Sequence, residues 1–158
     1  MNKLLTLKSI VDRCREVQEQ YSMTVGLCHG CWDILHIGHI RHLQLARTMC
    51  NGIIVTVTSD RFVNKGNGRP VFPAEIRAEV IAALSCVSFV AINDYETAAE
   101  AIRVLHPDIY FKGLEFKNDV TPGSRLAKET HELAIYGGKL EFIGETLASS
   151  TDLAKRFV

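Results

Sequence analysis

Short apolar stretches alternate with helix-like stretches along almost the whole chain. The clearest apolar stretch, residues 53–58, predicts a buried strand because its β-branched side chains fit a pleated sheet. Helices are predicted where apolar residues recur at helical spacing, as with Ile76, Val80 and Leu84. The predicted strands cover residues 24–28, 53–58, 87–92, 109–111 and 139–143. The predicted helices cover residues 7–20, 37–49, 74–85, 96–105, 124–136 and 149–157.

Turn-forming residues separate these elements. Asn51-Gly52 is a typical helix end, His106-Pro107 ends a later helix, and the glycines and prolines of residues 64–73 predict a loop. The alternation of strand and helix predicts an α/β fold, namely a Rossmann-like, doubly wound, five-stranded and mostly parallel sheet with helices on both faces. Ligands of such folds bind at the carboxyl ends of the strands, near the point where the strand order reverses.

The length and composition limit the classes of protein to consider. A chain of 158 residues fits one domain, so we expect residues 1–158 to form a single domain with residues 1–22 as an N-terminal helical extension. Hydrophobic residues make up 47% of the chain, which is enough for a core. Basic and acidic residues number 18 each, and this balance argues against a general nucleic-acid binder.

The same composition favours a cytoplasmic protein without a membrane partner. No apolar run approaches the roughly 20 residues of a membrane span. The first ten residues are interrupted by Lys3 and Lys8 and lack the apolar core of a signal peptide. The five cysteines are an odd number, so reduced thiols are a simpler interpretation than a disulfide framework.

The segment richest in residues suited to ligand binding or catalysis is residues 28–39, which read Cys-His-Gly-Cys-Trp-Asp-Ile-Leu-His-Ile-Gly-His. It begins where the first strand ends and runs into the next helix. Gly30 allows a ligand to approach the backbone closely, and a helix N-terminus favours phosphate groups. His36 and His39 lie three residues apart, so both imidazoles lie on one face of the first turn and are suited to donate to a phosphate chain.

Two other interpretations of this segment are weaker. The dinucleotide fingerprint G-x-G-x-x-G is absent, which argues against a dehydrogenase. Cys28-x-x-Cys31 followed by His36-x-x-His39 has the appearance of a zinc site. We expect the side chain of Cys28 to be packed at the end of a strand instead, and the remaining cysteines are expected to be small buried hydrophobic residues.

Residues 30–39 resemble the H-x-G-H signature of the cytidylyltransferase-like nucleotidyltransferase superfamily. The similarity continues through residues 56–60, 65–70 and 107–113, includes Arg77, and ends at residues 149–151, so it covers nearly the whole chain after Val25. The subgroup that it resembles most is the adenylyltransferase domain of the bifunctional ADP-heptose synthases.

The resemblance implies transfer of a nucleotidyl group from a nucleoside triphosphate to a phosphorylated small molecule, with release of pyrophosphate. It implies Mg²⁺ bound with the triphosphate, an acceptor phosphate that is itself the nucleophile, and a homodimer. The implied catalytic residues are His36, His39, Lys65 and Arg77. The implied nucleotide-binding residues are Gly30, Cys31, Trp32, Asp33, Gly38, Lys112, Gly113, Ser149, Ser150 and Thr151.

One departure from the family pattern keeps alternatives open. Residues 144–149 read Gly-Glu-Thr-Leu-Ala-Ser, where many members of the family carry an arginine. A non-catalytic nucleotide-binding module is therefore one alternative, and cytidylyl transfer from CTP to a polyol or sugar phosphate is another. A fragment of a class I aminoacyl-tRNA synthetase fits less well, because the chain is short and has no basic excess for tRNA.

Overall fold

A computed structural model describes residues 2–144 of the chain. The helices and strands are α1 (Leu7–Tyr21), β1 (Val25–Gly30), α2 (Ile37–Thr48), β2 (Gly52–Thr58), α3 (Ala74–Ala82), β3 (Phe89–Asn93), α4 (Ala99–Leu105), β4 (Ile109–Gly113), α5 (Arg125–Ile135) and β5 (Lys139–Ile143). Single 3-10 turns follow β2 and β4, at Asp60–Phe62 and Leu114–Phe116. The predicted helix at residues 149–157 lies outside the described residues.

The five strands form one parallel sheet in the order β3-β2-β1-β4-β5. The chain moves outward from β1 to β3 and then crosses back to β4 on the other side of β1. The strand order therefore reverses between β1 and β4, and a ligand crevice is expected at their carboxyl ends. The predicted α/β class, Rossmann-like and doubly wound with five strands, is confirmed, and every strand pair is parallel.

Each face of the sheet is covered by its own apolar cluster, as expected for a buried parallel sheet. In β2, Ile53, Val55 and Val57 face one cluster, while Ile54 faces the other. Helices α2 and α3 pack on the first side through Leu43 and Ile81, among others. Helices α1, α4 and α5 contribute apolar residues to the second side; among these are Ile10, Ile102 and Leu133.

Strands β1 and β4 each extend two residues further toward their carboxyl ends than the sequence predicted, and helix α4 begins three residues later. Strand β1 continues to Gly30 and β4 to Gly113, so both carry their polar residues to the edge of the crevice. Helix α4 begins at Ala99 and not at residue 96. The Asn93 side-chain amide donates to the carbonyl oxygens of Tyr95 and Thr97, which holds this segment in a turn before the helix begins.

The N-terminal segment covers the outer edge of β3. Leu4 forms a parallel bridge with Val90. The Leu5 N–H donates to the Val90 carbonyl at 2.9 Å, and the Val90 N–H donates to the Lys3 carbonyl at 2.9 Å. An otherwise unpaired stretch of strand edge is thus closed by the chain's own backbone.

Between residues 2 and 144, the structure contains no helix that is both long and apolar enough to span a bilayer.

Candidate functional site

A cavity of about 490 Å³ opens at the carboxyl ends of β1, β2 and β4. His29 and Gly30 of β1, Thr58 of β2 and Lys112 of β4 line its base. It therefore lies at the reversal of strand order, where the fold is expected to bind ligands. Residues 62–65 close one side of the cavity, and the segment from Phe116 to Glu129 closes the other.

The two histidines of the motif begin helix α2 beside this cavity. His36 is the N-cap, and its Nδ1 accepts a hydrogen bond from the Gly38 N–H at 3.1 Å. Because Nδ1 accepts, a neutral His36 carries its proton on Nε2, which remains a donor. The His36 and His39 rings stack with centroids 3.8 Å apart, so the two imidazoles form one unit at the helix start.

Both motif histidines favour the neutral form. Burial, together with smaller contributions from His36, Lys65 and His42, lowers the pKa of His39 to about 4. Burial also lowers the pKa of His36, with Lys65 adding to the effect. The pair therefore offers N–H donors without positive charge, and an anionic ligand would shift both rings toward the charged form.

Trp32 fixes the loop between β1 and α2. Its side chain is buried, its indole N–H donates to the Thr56 carbonyl at 3.1 Å, and its ring meets His39 edge-on with centroids 5.1 Å apart. The backbone of Trp32 adopts a positive φ of 52°, a conformation that L-residues rarely adopt. A Cβ atom at Gly30 would lie 3.1 Å from the Trp32 ring, so glycine allows the two to pack closely.

Asp33 ties the same loop to the segment before α3. Its Oδ2 accepts from the Arg69 guanidinium at 2.7 Å, and its Oδ1 accepts from the Val71 N–H at 2.7 Å. Burial opposes ionisation of this carboxyl, but Arg69 and the N–H groups of Val71 and Phe72 outweigh it and lower the pKa. Asp33 is therefore an ionised anchor whose two oxygens are both engaged.

Arg77 is buried in the structure, whereas the family resemblance implied a catalytic role for it. Its side chain is only 1% exposed. It donates to the backbone carbonyls of Phe72, Cys31 and Thr58 and lies 2.6 Å from Oδ1 of Asp60. The guanidinium thus connects β2, the motif loop and the start of α3, a geometry typical of a residue that positions a site.

The cations that line the cavity differ in their surroundings. Lys65 is exposed on the loop after β2, near enough to the motif for its charge to lower the pKa values of His36 and His39. Lys112 is 11% exposed and lies 3.7 Å from Oε2 of Glu129. Arg125 forms a 3.6 Å ion pair with Glu96 at the rim. Three cations thus line the cavity together with three acidic residues, Glu96, Asp119 and Glu129, and two of the cations are paired with acids of that set.

The structure brings four of the fourteen predicted site residues together around one opening. Gly30, Cys31, Lys65 and Lys112 line the cavity. His36 and His39 lie outside this lining but share the motif loop with Cys31. Gly113 ends β4 directly after Lys112, and a Cβ atom there would overlap the Glu115 carboxylate. The predicted residues Ser149, Ser150 and Thr151 lie outside the described residues.

His29 and Glu129, at the base of the cavity, were not among the site residues predicted from the sequence. His29 contacts Thr56 Oγ1 at 2.9 Å through Nδ1, and Thr58 Oγ1 at 3.4 Å through Nε2. Burial lowers the pKa of His29 to about 4. Glu129 is buried on α5, between Leu126 and Leu133 on the inner face. The sequence signal for Glu129 is an acidic residue within an apolar helix face, because acidic residues are rarely buried without a partner.

The zinc interpretation gains no support from the geometry. Cys28 is fully buried in the core cluster of α2 and α3, and burial raises the pKa of its thiol well above the usual range. No group of three or more histidine, cysteine or acidic side chains is arranged to hold a metal ion in the part of the chain described, residues 2–144. Cys28, Cys31 and the two motif histidines therefore do not form a ligand set.

The fold and the cavity define a doubly wound α/β protein with a cavity where its strand order reverses. Comparison with known proteins makes this specific. The profile of the cytidylyltransferase-like family matches residues 27–156, and the chain belongs to this family of nucleotidyltransferases. The resemblance carried by residues 30–39 is thereby confirmed.

Two curated relatives agree with the assignment of the chain to this family. Bifunctional protein HldE of Syntrophotalea carbinolica is 38% identical over 130 residues, which are 81% of this chain and 25% of the relative. Bifunctional protein HldE of Helicobacter pylori strain 26695 is 40% identical over 131 residues, which are 82% of this chain and 27% of the relative. The chain thus spans about a quarter of the length of these relatives.

Two solved structures share the fold. The lipopolysaccharide core biosynthesis protein of Thermoplasma volcanium superposes with a TM-score of 0.63 at 23% identity, over 78% of this chain and 98% of that one. Pantoate-beta-alanine ligase of Francisella tularensis, solved with a β,γ-ATP ligand and β-alanine, also gives 0.63, at 12% identity over 96% of this chain and 69% of that one.

Proposed function

We propose that the chain is an enzyme that transfers a nucleotidyl group from a nucleoside triphosphate to a phosphorylated sugar or polyol and releases pyrophosphate. The observation that carries the proposal is the stacked His36–His39 pair at the start of α2, beside a cavity edged by Lys65 and Lys112. Among the acceptors, heptose 1-phosphate with ATP is the leading pair. It is supported by the resemblance to ADP-heptose synthases and by the similarity to HldE.

The reaction needs little from protein side chains beyond positioning. A phosphate oxygen of the acceptor attacks the α-phosphorus, a new P–O bond forms, and the bond from the α-phosphorus to the oxygen bridging it to the β-phosphate breaks. Pyrophosphate leaves with the electron pair of that bond. Because the acceptor phosphate is already ionised near neutral pH, no protein nucleophile or strong base is needed, and orientation and charge stabilisation supply most of the rate.

Each proposed catalytic role belongs to a hydrogen-bond donor in the cavity or at its edge. His36 and His39 donate N–H groups to phosphate oxygens as negative charge develops on the leaving pyrophosphate. Lys65, on its exposed loop, approaches the phosphates of either substrate, and Lys112 contacts the nucleotide from the base of the cavity. We assign Arg77 a positioning role, because its donors are taken by carbonyl groups and Asp60.

The remaining nucleotide contacts follow the resemblance. Gly30, Cys31 and Gly113 present backbone to the nucleotide, Trp32, Asp33 and Gly38 hold the motif in shape, and Ser149, Ser150 and Thr151 are assigned to phosphate oxygens at a helix start. We further infer that the protein is a cytoplasmic homodimer. Light scattering of the purified protein tests its oligomeric state.

Magnesium fits this site as a companion of the triphosphate. Mg²⁺ binds through phosphate oxygens and water with one or two carboxylates, and does not require a cage of protein ligands. Asp33, the carboxylate of the motif, has both oxygens engaged, so the ion would be held mainly by the triphosphate. When bound, it would neutralise part of the triphosphate charge.

A pyrophosphate-release assay tests the proposal. ATP, CTP, GTP and UTP are each combined with sugar 1-phosphates and polyol phosphates in the presence of Mg²⁺. Release with ATP and a heptose 1-phosphate is the expected result, while release only with CTP would replace the adenylyl assignment. Nucleotide binding without release for any pair would favour a non-catalytic module, in line with the arginine absent from residues 144–149.

A further inference from the structure

Glu129 is a buried carboxylate that joins three elements at the base of the cavity. It lies on α5 and is 3% exposed. Its Oε1 accepts from the Ala98 N–H at 2.9 Å, just before α4, and its Oε2 accepts from the Tyr110 hydroxyl of β4 at 2.8 Å. Both oxygens are therefore held by donors from other elements, which fixes the position of the negative charge.

Among the ion pairs formed within residues 2–144, Lys112 is the cation that lies close to the Glu129 carboxylate. Its Nζ lies 3.7 Å from Oε2 of Glu129, 4.6 Å from the centre of the Phe116 ring and 5.5 Å from that of Tyr110. A lysine has a flexible four-carbon side chain and would sample many positions without such neighbours. A cation beside a buried carboxylate also offsets part of the cost of burying it.

We propose that Glu129 is a positioning residue for Lys112, holding its ammonium group at the base of the cavity where the nucleotide phosphates are bound. This inference rests on the proposed function, in which Lys112 contacts the nucleotide. The carboxylate does not touch the substrate. It acts through the lysine, keeping the ammonium in place before the nucleotide arrives and limiting the entropy lost on binding.

The Glu129→Gln variant removes the charge and keeps the shape. The glutamine oxygen accepts from the Ala98 N–H, and its amide group donates to the Tyr110 hydroxyl oxygen, so both links between elements persist. Loss of the charge alone then releases Lys112. We expect kcat/KM for the nucleotide to fall about tenfold, an ordinary coupling between contacting charged residues, while the melting temperature changes little.

A double-mutant cycle separates positioning from a general structural role. Lys112→Met removes the ammonium, and in that background Glu129→Gln is expected to cause no further loss of kcat/KM. Glu132→Gln, three residues along α5 and paired with Arg103, is the matched control and is expected to leave kcat/KM unchanged. An unchanged Glu129→Gln enzyme, or an equal loss with and without Lys112, would overturn the proposal.

Two further experiments test the proposal if Glu129→Gln does not fold or if the wild type is inactive. Should Glu129→Gln fail to fold, Tyr110→Phe loosens the carboxylate without removing its charge. It is expected to lower kcat/KM about threefold, again only when Lys112 is present, and an additive loss would count against the proposal. Should the wild type release no pyrophosphate, the cycle is repeated on the ATP dissociation constant. Failure to bind any of the four nucleoside triphosphates would overturn both proposals, whereas binding without coupling would overturn this one alone.

Discussion

The Nη2 atom of Arg77 lies 2.6 Å from Oδ1 of Asp60, and the two residues differ sharply in exposure, at 1% and 47% of their side chains. The pair joins helix α3 to the 3-10 turn after β2. Because the same guanidinium also donates to the carbonyl of Cys31, the start of the motif loop depends on a residue that lies more than forty positions later in the chain.

Replacing Arg77 by lysine is expected to lower the free energy of unfolding by about 3–5 kcal/mol. Lysine cannot reproduce the planar fork that reaches several carbonyl groups, so buried acceptors lose their donors. Chemical denaturation measures the loss. The control is Arg103→Lys, whose ion pairs are half exposed and whose expected cost is much smaller. A stable Arg77→Lys protein with impaired turnover would instead favour direct phosphate contact.

Removal of the His39 side chain is expected to leave the protein folded and to lower kcat about a hundredfold, the usual cost of losing one transition-state donor. Pyrophosphate release and circular dichroism provide the two measurements. His131→Ala on the exposed side of α5 is the matched control and should keep full activity. Normal turnover of His39→Ala would contradict the assigned mechanism, and a loss of folding would make His39 a structural residue.

Gly30→Ala and Gly52→Ala form a matched pair, because the added Cβ atom meets its nearest neighbour at 3.1 Å in both. At Gly30 the neighbour is the buried Trp32 ring, which cannot move without disturbing His39. At Gly52 it is the Ser88 hydroxyl, which rotates easily. We expect Gly30→Ala to cost about 1–3 kcal/mol of stability and most of the activity, and Gly52→Ala to cost clearly less. Equal effects would contradict the tight packing of the motif loop.

Stability is expected to fall as the pH drops from about 6.5 to about 4. Burial lowers the pKa of His29 to about 4, whereas the unfolded chain titrates near 6.5. In this window the unfolded state binds the extra proton, so stability rises with pH and is fully present above about 6.5. His29 alone contributes up to about 3 kcal/mol to this change.

Melting curves recorded between pH 4 and pH 8 test this expectation. The His29→Asn variant should lose a large part of the pH dependence, while the His131→Asn variant, altered at an exposed position, should retain it. A wild-type melting temperature that stays constant across the window would show that His29 titrates normally in the folded protein.

The order of helices and strands was predictable from the sequence because apolar periodicity and turn residues are local signals. Residues 53–58 and the motif at 30–39 needed no tertiary information. The surroundings of Arg77 were not predictable, since its partners are backbone carbonyls that every residue type carries. The sequence shows Glu129 only as an acidic residue within the apolar face of a helix. Its pairing with Lys112 was not predictable, because Lys112 belongs to a strand that approaches this helix only in the folded protein.

The backbone pairing of residues 3–5 with Val90 has a practical consequence for handling the protein. Strand β3 is at one end of the sheet, and an uncovered strand edge is a template for a second chain. A shortened protein that begins after Leu5 would present that edge to its neighbours in solution. Such a truncation is expected to aggregate at concentrations at which the full chain remains dispersed, although it removes no residue of the cavity.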